Sequence, residues 1–207
     1  MTIHPASDRS LLLTFGPEAG VTIRHLTEVL QKVRAVLNLH PAYASLLIDF
    51  DPRFHTHEGI ESLVRGALEN AAGEAEPASR LVEVPVHYGG EGGPDLEDVA
   101  RHTGLSAREV VDRFAATEYA VAFVGFSTCF PYLTGLPAEL ATPRLPAPRK
   151  HVPAGSVAIG GAQAGVYPLS SPGGWRLIGR TGLRLFDPAG EPPALLRMGD
   201  RVRFIPL

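Results

Sequence analysis

The stretch that decides the fold is Pro153–Pro188, which reads PAGSVAIGGAQAGVYPLSSPGGWRLIGRTGLRLFDP. Runs rich in β-forming residues alternate there with glycine and proline clusters: Ser156–Ile159, Gly165–Tyr167, Trp175–Ile178 and Leu183–Phe186. Glycine permits left-handed backbone and proline ends strands, so the pattern is typical of a small closed β-structure with tight corners. Corners need no polar side chains. The polar and aromatic residues among the glycines therefore indicate a ligand site: Gln163, Tyr167, Trp175, Arg180 and Thr181.

Toward the N-terminus, strand and helix patterns alternate. Ser10–Phe15 and Ser45–Phe50 are apolar runs that predict two buried strands. Apolar residues at helical spacing predict two amphipathic helices: Ile23, Leu26, Leu30, Val33 and Leu37, then Ile60, Leu63, Val64, Ala67, Leu68 and Ala71. The polar stretch Gly73–Ser79 predicts a linker. Residues 1–79 are thus expected to form a small α/β domain.

After the linker, strand patterns dominate. Leu81–Tyr88 alternates in polarity and predicts a strand, and Pro85 places it at a sheet edge. Ser106 and Glu109 have the spacing of a capping box, which begins the second of two short helices. We therefore predict an α+β chain, in which an N-terminal α/β layer precedes a β-barrel domain, residues 80–207, with two inserted helices.

Composition narrows the function. The 207 residues carry a net charge of −3 and include two lysines and one cysteine. The lack of a basic stripe argues against nucleic acid, and no apolar run has the length of a membrane span. The lone cysteine precludes an internal disulfide, and the N-terminus does not resemble a signal peptide, so a cytoplasmic location is expected.

Catalytic motifs are missing. The sequence contains neither GxxxxGK[ST] nor GxSxG. His55 and His57 lack the spacing of metal ligands, so no metal is expected. Cys129 is either a nucleophile or, as is commoner for a lone cysteine, a packed apolar residue. No catalytic residue can be assigned from these patterns.

Arginines in the loops offer a binding chemistry. Arg144, Arg149 and Arg180 stand in loop-like contexts, where a guanidinium can bind a carboxylate through two parallel hydrogen bonds. The alternative for each is a solvated side chain or a structural salt bridge. Trp175, the only tryptophan, is either a wall of the site or part of the core.

Four successive motifs carry a family resemblance: YGGEGGPDLEDVARHTGL, FVGFSTCFPYLTGLP, the glycine-rich segment from ATPRLPAPRK to GRT, and PALLRMGDRVRF. In this order they resemble the family of 5-oxoprolinase B-type subunits. This family is also called allophanate hydrolase subunit 1 or the Kip-type inhibitor of a sporulation histidine kinase, and it is similar to subdomain C/D of the carboxyltransferase region of urea carboxylase.

The resemblance implies a cyclophilin-like barrel and an enzyme subunit that is incomplete alone. It also implies two partners, a second cyclophilin-like chain of the 5-oxoprolinase C type and an A-type chain of the lactam-utilisation kind. With them the assembly would open 5-oxoproline to glutamate with ATP as co-substrate. The alternatives are an inhibitor of a sensor histidine kinase and a hydrolase subunit of the allophanate or urea amidolyase type.

Ten positions match the family motifs and are the expected substrate-binding residues: Glu91, Asp95, Tyr132, Arg144, Arg149, Gln163, Tyr167, Trp175, Arg180 and Thr181. We expect four of them to converge on one concave face of the barrel, with Trp175 or Tyr132 on its wall: Arg144, Gln163, Tyr167 and Arg180. The middle motif departs from the usual GFAPGFPYLGGLP, because Cys129 replaces a glycine and adds a side chain to a turn.

Overall fold

The computed structural model describes residues 1–71 and 79–207, so the predicted linker lies, apart from Ser79, outside the described residues. The chain separates into two compact units, the second of which begins at Ser79. The first unit comprises β1 (Thr2–Ser7), β2 (Ser10–Thr14), α1 (Gly20–Leu30), β3 (Val36–Pro41), β4 (Ser45–Phe50) and α2 (His57–Ala71). Its four strands form one antiparallel sheet in the order β1-β2-β4-β3.

The buried face of this sheet follows from strict alternation along β4. Leu46, Ile48 and Phe50 are fully buried, while the residues between them are partly exposed. On the helices, Ile23 of α1 and Ile60 of α2 are equally buried. The apolar stripes read from the sequence therefore supply the core of this unit.

The first helix is shorter than its apolar spacing predicts, and the expectation that it continues to Leu37 is wrong. The N–H groups of Lys32 and Val33 donate to carbonyls three residues earlier, which tightens the chain and ends α1. Leu37 lies in β3 beside a bulge, and 51% of its surface is exposed. Pairing with β4 determines the conformation of this segment, and a local periodicity cannot reveal that pairing.

The second unit contains a closed barrel. Its elements are β5 (Leu81–Tyr88), α3 (Leu96–Thr103), α4 (Ala107–Ala116), β6 (Glu118–Gly125), β7 (Phe130–Thr134), a 3-10 turn (Ala138–Leu140), β8 (Arg149–Val152), β9 (Ser156–Gly160), β10 (Gln163–Val166), β11 (Ser171–Gly173), β12 (Arg176–Arg180) and β13 (Arg201–Pro206). Seven strands close in the order β10-β7-β6-β13-β5-β12-β9, and β8 pairs with β11 in a separate two-stranded strap. The predicted α+β class, with a barrel and two inserted helices, is confirmed.

Local sequence signals end the first inserted helix and begin the second. Gly104 ends α3 in the left-handed conformation, with φ of 72°. The Ser106 hydroxyl accepts the Glu109 N–H, and the Glu109 carboxylate accepts the Ser106 N–H, so the predicted capping box is present. Both helices add apolar side chains to the large core of the barrel, among them Val99 and Phe114.

Two strand predictions are wrong. β5 is not an edge strand, because it lies between β13 and β12. Pro85 is tolerated because β12 pairs with β5 only at His87 and Tyr88, so one flank of the strand is unpaired at the proline. Residues Leu183–Phe186 form no strand, and only an isolated bridge joins Phe186 to Ala194. Within the described ranges, no helix is both long and apolar enough to cross a membrane.

Candidate functional site

A cavity of about 280 Å³ opens between the strap and the outer face of the barrel. Five of its ten lining residues are aromatic. Its lining comprises Phe126, Phe130, Tyr132, Arg144, Pro148, Tyr167, Pro172, Gly173, Gly174 and Trp175. This volume lies just below the usual range for ligand sites, about 300–1,000 Å³. The cavity, called the aromatic pocket below, therefore suits a small molecule.

Glycines allow the rings to sit against the barrel. A Cβ atom on Gly160 would lie 2.5 Å from the Trp175 indole, and one on Gly165 would lie 2.7 Å from the Phe130 ring. A Cβ on Gly173 would collide with the Tyr167 hydroxyl. The three glycines are thus required where rings approach the backbone closely.

The rings contact each other edge to face, which is the favourable arrangement of their quadrupoles. Phe130 is central: its centroid lies 5.0 Å from Tyr167 and 5.4 Å from Trp175, with interplanar angles of 79° and 82°. Tyr132 meets Trp175 at 5.7 Å and stacks on Phe123 at 4.4 Å. These contacts fix the walls of the aromatic pocket.

One cation lies at this pocket. The Arg144 guanidinium is 5.5 Å from the Trp175 ring centroid, within the range of a cation–π interaction. Arg144 is exposed and forms no salt bridge with any described residue, whereas nearby Arg149 and Arg176 each pair with an aspartate. The pocket therefore combines an aromatic wall with a positive charge that is free to bind an anion.

The two tyrosines are neutral hydrogen-bonding groups at physiological pH. Burial raises the pKa of Tyr167, although a hydrogen bond with the Trp175 backbone partly offsets the effect. Burial also raises the pKa of Tyr132, against the opposing charge of Arg144. Phenols that keep their protons can donate hydrogen bonds to a ligand oxygen.

Of the ten positions predicted from the family motifs, the structure brings four into the aromatic pocket: Tyr132, Arg144, Tyr167 and Trp175. Gln163 does not line it. It pairs with Gly160 in the barrel and shares a strand face with Gly165, so it lies on the face that bears the pocket. Of the four residues expected to converge, Arg144 and Tyr167 line the pocket, whereas Gln163 and Arg180 do not.

Asp95 and Arg149 do not line the pocket. The Arg149 Nη2 donates to Asp95 Oδ1 at 2.7 Å, and the N–H of Leu177 donates to Asp95 Oδ2 at 2.7 Å. The structure makes this pair an internal ion pair of the unit. Its binding role remains a prediction.

Three predicted positions lie elsewhere. Arg180 does not line the pocket, and its Nε donates to the carbonyl oxygen of Ala154. Thr181 is buried, and its hydroxyl accepts the N–H of Leu183. Glu91 lies in the exposed turn after β5. None of the three lines the aromatic pocket, and their contact with substrate stays a prediction.

Sequence reasoning did not select two pocket residues, Phe126 and Phe130, although both belong to the middle motif. A phenylalanine in a strand pattern is more simply explained as core. In the structure, the turn between these two residues distinguishes the segment from an ordinary core strand. Phe126 and Cys129 both adopt left-handed φ angles, 63° and 61°, which residues other than glycine rarely do outside functional or strained sites. Burial raises the pKa of the Cys129 thiol, which opposes formation of the thiolate nucleophile.

The fold and the pocket define a class of protein: a closed barrel whose outer face carries a small aromatic pocket with an unpaired arginine. A family model described as "Carboxyltransferase domain, subdomain C and D" matches residues 1–196. The chain belongs to this family.

Two curated relatives are subunits of 5-oxoprolinase. The chain is 58% identical to a B-type subunit of 5-oxoprolinase from Escherichia coli O157:H7 over 149 residues, 72% of this chain and 67% of that protein. It is 41% identical to the B-type subunit of the Bacillus subtilis 5-oxoprolinase, covering 98% of this chain and 91% of that protein.

A solved structure supports the architecture. The crystal structure of TTHA0988 matches with a TM-score of 0.84 and 38% identity, covering 96% of this chain. The present chain spans only 40% of the length of that protein.

Proposed function

We propose that this chain is the B-type subunit of an ATP-dependent 5-oxoprolinase and that its aromatic pocket binds 5-oxoproline. Relatives named as this subunit of 5-oxoprolinase, with identities of 58% and 41%, support the first part. The second part depends on one observation, the unpaired Arg144 guanidinium over Trp175 in the pocket.

The ligand chemistry matches this arrangement. 5-Oxoproline is a nearly flat five-membered ring with a carboxylate and a lactam amide. Arg144 would bind the carboxylate through a charge-assisted hydrogen bond. The Trp175 indole and the Phe130 ring would pack against the ring of the ligand.

The tyrosines would orient the lactam. Since burial keeps Tyr132 and Tyr167 protonated, either phenol can donate to the lactam carbonyl oxygen and polarise it toward attack. Tyr132 is the more accessible of the two, because it is half-buried, whereas Tyr167 is buried against Gly173.

Other subunits would supply the remaining chemistry. The sequence has no phosphate-binding loop, and a cavity of about 280 Å³ is too small to enclose a nucleotide. ATP would therefore be bound elsewhere in a cytoplasmic complex with a C-type cyclophilin-like chain and an A-type chain of the lactam-utilisation kind. Purified alone, the chain would bind 5-oxoproline without opening it.

The single tryptophan provides the test. Trp175 lines the pocket, so its fluorescence reports ligand binding directly. We expect 5-oxoproline to change the emission of the purified chain. Arg144→Gln should weaken binding about tenfold or more, because a hydrogen bond to a charged group contributes about 1.5–3 kcal/mol.

The matched control is Arg197→Gln, which removes an exposed arginine whose side chain likewise forms no salt bridge with the described residues. It should bind as the unaltered chain does. 2-Pyrrolidinone, which lacks the carboxylate, should bind the unaltered chain and Arg144→Gln equally weakly. Equal binding of 5-oxoproline by both arginine variants would refute the carboxylate role of Arg144, and no binding by the unaltered chain would refute the pocket assignment.

A further inference from the structure

A buried carboxylate is hydrogen-bonded to two segments that border the aromatic pocket. Asp95 stands at the N-cap position of α3, but its side chain makes no capping hydrogen bond, and only 4% of its surface is exposed. Its oxygens instead accept from the Arg149 guanidinium and from the N–H of Leu177, each at 2.7 Å. The carboxylate therefore joins β8 and β12 to the start of α3.

Both partners lead to walls of the pocket. Leu177 follows Trp175 by two residues, so its N–H holds the start of β12 beside the indole. Arg149 pairs with Gly173 across the strap, and Gly173 lies against the Tyr167 hydroxyl. One carboxylate thus fixes the tryptophan wall and the strap wall together.

The ion pair is not arranged as a simple stabilising contact. The Arg149 Nη1 is buried and has no hydrogen-bond partner among the described residues. A buried ion pair stabilises a fold only where its remaining donors are satisfied, because desolvation otherwise offsets the attraction. This pair is better explained by the geometry that it imposes than by stability.

We propose that Asp95 and Arg149 are positioning residues, which set the width of the aromatic pocket by holding Trp175 and the strap to one buried carboxylate. Their effect on ligand affinity rests on the proposed binding of 5-oxoproline. Their effect on pocket geometry does not.

The same unit contains a matched control. Asp200 is also buried, and its Oδ2 accepts from the Arg80 guanidinium at 2.7 Å and from the N–H of Arg197 at 2.9 Å. This second pair has the same chemistry, but none of its three residues lines the aromatic pocket. A purely structural role predicts similar consequences for the loss of either carboxylate.

The experiment compares Asp95→Asn with Asp200→Asn in the full chain. Asparagine keeps the size and one acceptor but removes the charge. We expect both variants to lower the melting temperature. Only Asp95→Asn should increase quenching of Trp175 by acrylamide in the ligand-free protein. Only this variant should bind 5-oxoproline more weakly, by about tenfold, because the Trp175 wall is no longer held in place.

A second pair of substitutions, which disturb the ion pairs less, replaces the first if either asparagine variant fails to fold. Arg149→Lys and Arg80→Lys retain the charge but lose the planar fork of the guanidinium, and only Arg149→Lys should expose Trp175. Unchanged quenching in folded Asp95→Asn and Arg149→Lys would overturn the proposal. If the unaltered chain does not bind 5-oxoproline, the proposed function fails, while the quenching comparison still decides the positioning role.

Discussion

The two faces of the barrel strands differ in how they are packed. On β9, Val157 and Ile159 belong to the large core. The alternate residues Ala158 and Gly160 face the rings that form the walls of the aromatic pocket. The large core combines aliphatic side chains with the rings of Phe114, Tyr119 and Phe204, and the two inserted helices contribute to it. The aromatic face is built from large rings set against glycines, and it leaves a cavity. Stability and binding are therefore expected to reside on opposite faces of the same strands.

The largest expected effect is on the core face. Phe204 of β13 is fully buried, and its ring centroid lies 4.9 Å from Phe114 and 5.3 Å from Tyr119. Phe204→Ala should lower the free energy of unfolding by about 3–5 kcal/mol, because it creates a large cavity. Denaturant unfolding measures the loss. The folded variant should keep the Trp175 emission and the 5-oxoproline affinity of the unaltered chain; a change in either would break the separation of the faces.

A smaller loss of stability with a larger loss of binding is expected on the aromatic face. Gly173→Ala places a methyl group against the Tyr167 hydroxyl, so the strap or the ring must move. The expected cost in unfolding free energy is about 1–3 kcal/mol, and Trp175 titration should show weakened binding.

Gly182→Ala is the control for this substitution. Apart from its two chain neighbours, no described residue has an atom within 4 Å of the position that its Cβ would occupy, and its φ is not positive. It should leave both stability and binding unchanged. If Gly173→Ala binds 5-oxoproline as well as Gly182→Ala does, the close approach at Gly173 does not shape the site.

The features that the sequence predicted correctly depend on residues close together in the chain or on a recognisable motif. The Ser106–Glu109 capping box spans four residues, and its geometry follows from that spacing. The overextended helix toward Leu37 shows the opposite case, because β3 exists only through pairing with β4, which local periodicity does not encode.

The residues of the site also divide into those that the sequence indicates and those whose contacts depend on the fold. Arg144 and Trp175 could be selected because loop arginines and a tryptophan after Gly173-Gly174 indicate binding chemistry. That Gly160 receives the indole could not be foreseen, since this contact joins two strands through the closure of the barrel. Arg180 was selected on equal grounds, but its guanidinium donates to the Ala154 carbonyl. Residue type indicated a candidate binding chemistry. The register of the strands decided which of these side chains lie together in one pocket.

The smallest expected effect is a gain in stability at the turn beside the pocket. Cys129 has a φ of 61°, a conformation in which the Cβ atom of an L-residue costs about 1–2 kcal/mol. Glycine avoids this strain but loses more backbone entropy on folding, about 0.5–1 kcal/mol. Cys129→Gly should therefore raise the free energy of unfolding by about 0.5–1 kcal/mol. Cys129→Ala is the control, because it removes the sulfur and keeps the strained Cβ, and it should not stabilise the protein. Equal stabilisation by both substitutions in denaturant unfolding would trace the effect to the thiol rather than to the backbone. A gain confined to glycine, with 5-oxoproline affinity unchanged, would show that this turn can be relaxed without altering the aromatic face that it borders.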